Sequence, residues 1–216
     1  MPTKTQIRFG SLKTRITPSQ LRAQERVHQI LNATADELCS SPPHDVSALM
    51  IAKSANIPVS SIYRYFPKVE DIFEELYQQI SGDFEARVFS LLEDSETYPG
   101  WRDRHRGVYT AFRSFCREHP YYMSLLQYSI SRFGPETIDF TERPGLTGYL
   151  ASRWAEGGDG FRGGDPKIVA HITMQTFLAI EGFVASNIAP TDVDAYLSEL
   201  SLNLESYLAN YLSDER

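Results

Sequence analysis

Apolar residues recur at three- and four-residue steps along most of this 216-residue chain. That spacing places side chains on one face of an α-helix. Clusters of proline and glycine separate the periodic segments, and the sequence has no apolar–polar alternation bounded by hairpin turns. The chain is therefore predicted to be all-α, with a small helical N-terminal domain and a larger helical C-terminal domain.

The breaks in the pattern set the bounds of the predicted helices. The first begins near Pro18 and ends before Ser40, and the rest cover residues 47–55, 59–65, 69–93, 101–118, 120–132, 137–157, 166–188 and 191–212. The glycine- and aspartate-rich segment 157–165 is the clearest break. It has no phosphate-binding pattern, and we interpret it as a connector, with a mobile lid as the alternative.

Charge is divided unevenly along the chain. The net charge is −7, but residues 1–68 carry nine Lys or Arg and four Asp or Glu, whereas residues 69–216 carry twelve and twenty-four. A basic segment can contact phosphate, and an acidic one is repelled by it. The N-terminal third is thus the candidate for nucleic acid, and residues 1–18 are predicted to be a basic flexible arm.

Residues 47–68 have the pattern of a helix-turn-helix. This motif needs two short helices, a tight turn and small residues where the helices touch. Ala52 and Ala55 are small, and Asn56 tolerates the left-handed backbone of a sharp reversal. In the next helix Ile62 and Phe66 share an inward face, which leaves polar side chains for the major groove.

The run from Ile51 to Pro67 resembles the N-terminal signature of TetR-family repressors, and the likeness extends over residues 24–75. The shared pattern is an Ile-Ala pair, small residues, a turn, a short polar run and an aromatic pair ending in Phe. Asn56 stands where the family usually has Gly. Val69 stands where it usually has Lys, with Lys68 one position earlier.

The resemblance implies a helix-turn-helix domain at residues 19–68 and a ligand-sensing and dimerisation domain at residues 69–216. It also implies roles for particular residues. Ser47 would touch phosphate at the start of the second helix, and Lys68 would do so at the start of the long helix. The remaining predicted DNA-contacting residues are Val59, Ser60, Ser61, Tyr63, Arg64 and Tyr65.

The acidic domain has two predicted surfaces. Apolar residues on the last two helices exceed what one core needs, so we expect a homodimer seam there, formed by Phe183, Leu197, Leu200, Leu204, Tyr207 and Leu208. A pocket for a small-molecule effector would be mostly apolar with a few polar anchors. The candidate pocket residues are Phe112, Tyr122, Trp154, His171, Gln175 and Leu178.

These expectations together describe a cytoplasmic, sequence-specific DNA-binding regulator, a repressor that a small inducer releases from a palindromic operator. An alternative is a similar DNA-binding protein controlled by a protein partner. No nucleophile motif, metal-ligand spacing or cofactor loop is present, so we expect neither an enzyme nor a metal or cofactor. The apolar stretch at 168–188 is interrupted by polar residues and is not predicted to cross a membrane.

Overall fold

The computed structural model describes residues 18–133, 145–187 and 192–213. Within them it contains nine α-helices and no strand, so the all-α prediction is confirmed. The helices are α1 (Pro18–Leu38), α2 (Ala48–Ser54), α3 (Val59–Tyr65), α4 (Val69–Glu93), α5 (Trp101–Glu118), α6 (Tyr122–Phe133), α7 (Leu146–Ala155), α8 (Pro166–Asn187) and α9 (Val193–Leu208).

Most predicted helix bounds agree with these within two residues. The long helix at 69–93 and the helix at 101–118 have the predicted ends, and α6 begins two residues later than predicted. Helix α9 ends at Leu208, four residues earlier than predicted, because the chain tightens there into turns closed by hydrogen bonds to the third residue back. Of the helix predicted at 137–157, residues 146–155 are helical, and 137–144 lie outside the described residues. The predicted arm also lies outside them, apart from Pro18, the first residue of α1.

The chain forms two compact units. The first comprises residues up to Ile80 together with Glu118–Leu125, and the second comprises Ser81–Arg117 and Leu126–Arg216. The first half of α4 belongs to the first unit and its second half to the second unit. Each unit has its own buried apolar core.

The core of the first unit joins α1 to the two short helices. Ile30 and Leu31 of α1, Ile51 of α2 and Ile62 of α3 are all fully buried. Ala52 and Ala55 are buried as well, as expected of small residues where the short helices meet. Burying side chains of this size contributes about 1.5–3 kcal/mol each, so the apolar stripes fix how α3 lies on α1 and α2.

The second unit is held by an apolar cluster and by ion pairs. Trp101, Trp154, Val169 and Leu208 are buried in one cluster drawn from α5, α7, α8 and α9. On its surface Arg106 donates to Glu205 through Nε (3.0 Å) and Nη2 (2.8 Å), which links α5 to α9.

The Gly/Asp segment contains a buried carboxylate, contrary to its interpretation as a plain connector or lid. Asp159 accepts hydrogen bonds from Arg153 (2.8 and 2.9 Å), from Trp154 Nε1 (3.1 Å) and from Arg104. Its side chain is 6% exposed. Burial raises the pKa of Asp159, but Arg153 and Arg104 outweigh that effect and hold it below its ordinary value.

Candidate nucleic-acid interface

The turn between α2 and α3 is closed by two backbone hydrogen bonds. The Ile57 amide donates to the Ala52 carbonyl (2.9 Å), and the Asn56 amide donates to the Lys53 carbonyl (3.1 Å). This pair of bonds is a common way to end a helix, and it requires a left-handed residue. Asn56 supplies it with φ +53°, so the predicted reversal at this residue is confirmed.

Helix α3 buries one side and exposes the other. Ile62 is fully buried and Phe66 is 8% exposed, as the four-residue spacing predicted. Ser60, Tyr63 and Arg64 are exposed. The structure therefore brings three of the predicted DNA-contacting side chains together on the outer surface of one short helix.

The other predicted contacts on α3 lie at its start and at the edges of this surface. Val59 is the first residue of the helix and is 38% exposed. Ser61 and Tyr65 are half-buried. The Arg64 guanidinium lies 5.9 Å from the centre of the Tyr65 ring. An α-helix that exposes polar groups and one cation in this way can enter a major groove about 12 Å wide.

Ser47 begins α2 as its N-cap. Its hydroxyl oxygen accepts a hydrogen bond from the Met50 amide (3.4 Å). The side chain is exposed, and the hydroxyl hydrogen can still be donated outward. The residue can thus cap the helix and contact a phosphate oxygen at the same time.

Lys68 lies immediately before α4, as predicted, but the helix end beside it is already capped. The Lys68 amide donates to the Asp71 carboxylate (2.9 Å), and Glu70 adds a second acid to the first turn of α4. Because these carboxylates offset the positive end of the helix dipole, the end of α4 is not an anion site by itself. Any phosphate contact here depends on the exposed Lys68 ammonium.

Gln29 supports the turn from α1, which the sequence did not predict. Its Nε2 donates to the Ala55 carbonyl (2.6 Å), and its Oε1 accepts from Arg26 (2.9 Å). Periodicity assigns position 29 to the solvent side of the helix, so nothing in the pattern distinguishes this glutamine from a surface residue. It holds the carbonyl at the end of α2 and thereby positions the turn that orients α3.

The six predicted pocket residues have different surroundings. Tyr122 belongs to the first unit, and the other five belong to the second. Phe112 and Trp154 are buried, Leu178 is half-buried, and His171 and Gln175 are exposed. His171 borders an open groove of about 500 Å³ between α7 and α8, together with Gly148, Ala151, Lys167 and Ile168, among others.

The predicted dimer residues on α9 are mostly covered by their own chain. Leu197, Leu200, Leu204 and Leu208 are 1–5% exposed, and Tyr207 is half-buried. Their three- and four-residue spacing identified an apolar face correctly, but that face packs inside the single chain and offers a partner little surface. The side chain of Phe183 lies outside the described residues. No helix in the described part of the chain is long and apolar enough to cross a membrane.

Comparison with known proteins gives matches to transcription regulators. Residues 30–76 match the sequence model of the family described as "Bacterial regulatory proteins, tetR family". A relative from Bacillus subtilis (strain 168), the uncharacterized HTH-type transcriptional regulator YhgD, is 24% identical over 140 residues, which cover 61% of this chain and 69% of that protein.

Solved structures share the fold. SmeT, the repressor of the Stenotrophomonas maltophilia multidrug efflux pump SmeDEF, aligns with a TM-score of 0.62 at 18% identity, covering 88% of this chain and 91% of SmeT. A TetR-family regulator from Mesorhizobium loti aligns with a TM-score of 0.61 at 17% identity, covering 89% and 99% of the two chains.

The helical fold and the recognition surface on α3 define a DNA-binding transcriptional regulator of the helix-turn-helix class. Within that class, residues 30–76 match the TetR-family sequence model, and the fold is similar to solved structures of TetR-family regulators.

Proposed function

We propose that this protein is a cytoplasmic repressor that binds a palindromic operator as a homodimer and releases it when a small-molecule inducer binds. The observation that supports sequence-specific DNA binding most directly is the exposed surface of α3. Ser60, Tyr63 and Arg64 are exposed there, while Ile62 is fully buried beneath them. A repressing role is supported by analogy with SmeT, which has a similar fold and is a repressor.

The proposed DNA contacts are of two kinds: some bind the phosphate backbone, and others contact the bases. Ser47 and Lys68 would bind phosphate and fix the register of the helix on the duplex, which carries no sequence information by itself. Arg64 can make paired hydrogen bonds to a guanine edge, and Val59 can pack on a thymine methyl. Sequence preference would therefore arise mainly from α3.

The dimer would use exposed apolar side chains on the last two helices. In the described part of the second unit these are Ile168 (61% exposed) and Ile172 (43%) on α8, and Tyr196 (42%) and Leu202 (61%) on α9. Exposed apolar residues of this kind are ones that a partner can cover. A twofold dimer also supplies the two recognition helices that a palindrome requires.

Release would follow from a shift between two conformations of the dimer. Helix α4 has 25 residues and contributes to both compact units. An inducer that binds the second unit could move this helix and change the spacing of the two recognition helices. It must bind the non-operator conformation more tightly, because equal affinity for both conformations shifts nothing.

The test is recovery of genomic DNA fragments on the purified protein, followed by sequencing. The proposal predicts an enriched imperfect palindrome with half-sites about one helical turn, or a multiple of it, apart. An inducer identified by screening a metabolite library should release the same fragments from the protein. Recovery of fragments with no common sequence would contradict the proposal.

A further inference from the structure

Four ring side chains lie along one face of α5. Trp101, His105, Tyr109 and Phe112 are spaced by four, four and three residues, which places them on one side of a helix. The Tyr109 ring meets His105 at 5.0 Å and Phe177 of α8 at 5.8 Å between ring centres. Phe112 also meets Phe177, at 5.6 Å. These rings form an aromatic surface between α5 and α8.

The hydroxyl of Tyr109 is buried within this surface without a partner. Tyr109 is 4% exposed, and among the described residues its oxygen has no hydrogen-bond partner. A buried polar group in this state lowers stability unless something pairs with it. Burial also raises the pKa of Tyr109, so the hydroxyl keeps its proton and can act as a donor.

Among the described residues, no group accepts the proton of the Tyr109 hydroxyl. The His105 Nε2–H donates to the Ser201 carbonyl (2.9 Å), which fixes that side of the imidazole toward α9. Burial lowers the pKa of His105 and favours its neutral form. A charged ligand here would lose its hydration without gaining an opposite charge. A neutral aromatic ligand would have no such cost and would pack against the rings.

Phe177 is the most accessible of these three rings. It touches both Tyr109 and Phe112, and it is half-buried while those two rings are buried. A rotation of this one side chain would open space beside the Tyr109 ring, and the buried rings on α5 would not have to move. The ligand would then stack where Phe177 stood and accept the hydrogen bond.

We propose that Tyr109 is the hydrogen-bonding anchor of an effector site between α5 and α8, and that the effector is a neutral, planar, largely apolar molecule with a carbonyl-type acceptor. This inference rests on the proposed function, because it identifies the site and the chemical class of the inducer. It replaces His171 and Gln175, which are exposed, as the polar anchors of the site.

The test uses two fluorescent probes and two matched variants of the full chain. Prodan is a neutral naphthalene ketone, and dimethylaminonaphthalene has the same ring system without the ketone. Tyr109→Phe should weaken Prodan binding by about three- to tenfold, the loss expected for one hydrogen bond, and leave dimethylaminonaphthalene unchanged. Tyr207→Phe is the control, since its hydroxyl interacts with Tyr211, and it should change neither affinity.

Thermal unfolding without probe gives a second readout. Tyr109→Phe removes a buried donor that has no partner, so its melting temperature should equal or exceed that of the wild type, whereas Tyr207→Phe should melt at or below it. Failure of Prodan to bind the wild type, equal Prodan affinity in wild type and Tyr109→Phe, or a lower melting temperature for Tyr109→Phe would overturn the inference. An operator-binding titration of the same samples separates this failure from failure of the proposed function, because DNA binding does not require this site.

Discussion

Arg64 is the one charged side chain of α3, and it is exposed beside Ser60 and Tyr63. A guanidinium that makes two hydrogen bonds to a guanine edge contributes both affinity and base preference. A contact to phosphate alone would contribute affinity for any sequence. The role of this residue can therefore be read from how a substitution changes affinity for different DNA sequences.

We expect Arg64→Ala to weaken operator binding by about 1–3 kcal/mol and to relax preference at one base position in each half-site. Fluorescence anisotropy with operator variants measures both effects. Arg162→Ala is the matched control, because Arg162 is an exposed arginine of the second unit. Unchanged operator affinity in Arg64→Ala would show that Arg64 does not contact the operator.

Prediction at the residue scale succeeded where the cause is local. Ile62, Phe66 and Asn56 were predicted because helical spacing and left-handed tolerance depend on near neighbours in sequence. Gln29 and Asp159 were not, because their partners lie 26 and 55 positions away at Ala55 and Arg104. No pattern in the sequence links groups that only the folded chain brings together.

At the scale of elements, the turn at Asn56 sets the direction of α3. Any residue with a β-carbon other than Asn or Asp loses stability in the left-handed region, by about 1–2 kcal/mol. Asn56→Ala should therefore lower the free energy of unfolding by about 1 kcal/mol, whereas Asn56→Gly should match the wild type closely. Urea denaturation compares the three proteins, and equal stability of the Ala and Gly variants would show that the left-handed turn is not required.

The segment around Asp159 is stabilised by its two arginines. Replacing the carboxylate leaves Arg104, whose side chain is 7% exposed, without its charged partner. Breaking a buried pair in this way costs about 3–5 kcal/mol. We expect Asp159→Asn to lower the free energy of unfolding by about 3 kcal/mol at pH 7, and the exposed Glu156→Gln to change it by less than about 0.5 kcal/mol.

The pH dependence of this effect has a defined sign. Because the folded-state pKa of Asp159 is lowered, its contribution is present above the unfolded pKa of about 3.9 and is lost as pH falls through the folded value. The stability difference between wild type and Asp159→Asn should thus be largest above about pH 5 and shrink below about pH 4. A difference that stays constant across this range would contradict the ion-pair account.

The bounds of the helices were predictable, but the surface against which a helix face packs was not. The leucines of α9 at 197, 200, 204 and 208 form an apolar stripe, and such a stripe can pack on its own chain or on a second copy. The sequence pattern alone favours the second copy. The structure buries these leucines in the single chain, so in the described part of α8 and α9 it is the exposed residues that are left to form an interface.

At the scale of the whole molecule, the charge division has a simple interpretation. The basic residues 1–68 contain the surface that would meet DNA, and the acidic remainder keeps the rest of the chain from binding phosphate. The two parts of the sequence thus differ in charge because they would serve different partners. The proposed dimer places two copies of the basic N-terminal third on one duplex.

Light scattering at micromolar concentration should show a dimer of the wild-type chain. Ile172→Glu combined with Leu202→Glu places charges on the exposed apolar surface of α8 and α9 and should give a monomer, because a buried unpaired charge disfavours association. Leu21→Glu is the control, as Leu21 is 50% exposed in the first unit. A wild-type monomer would contradict the proposed interface and the palindromic operator.

The most direct test of the central claim is the ratio of affinities for operator and scrambled DNA of equal length and base composition, measured with the wild-type protein at about 0.15 M salt. If α3 reads base edges, the operator should bind at least about a thousandfold more tightly. Equal affinity for the two duplexes would show that the protein binds only the phosphate backbone, and the assignment of α3 as a recognition helix would be wrong.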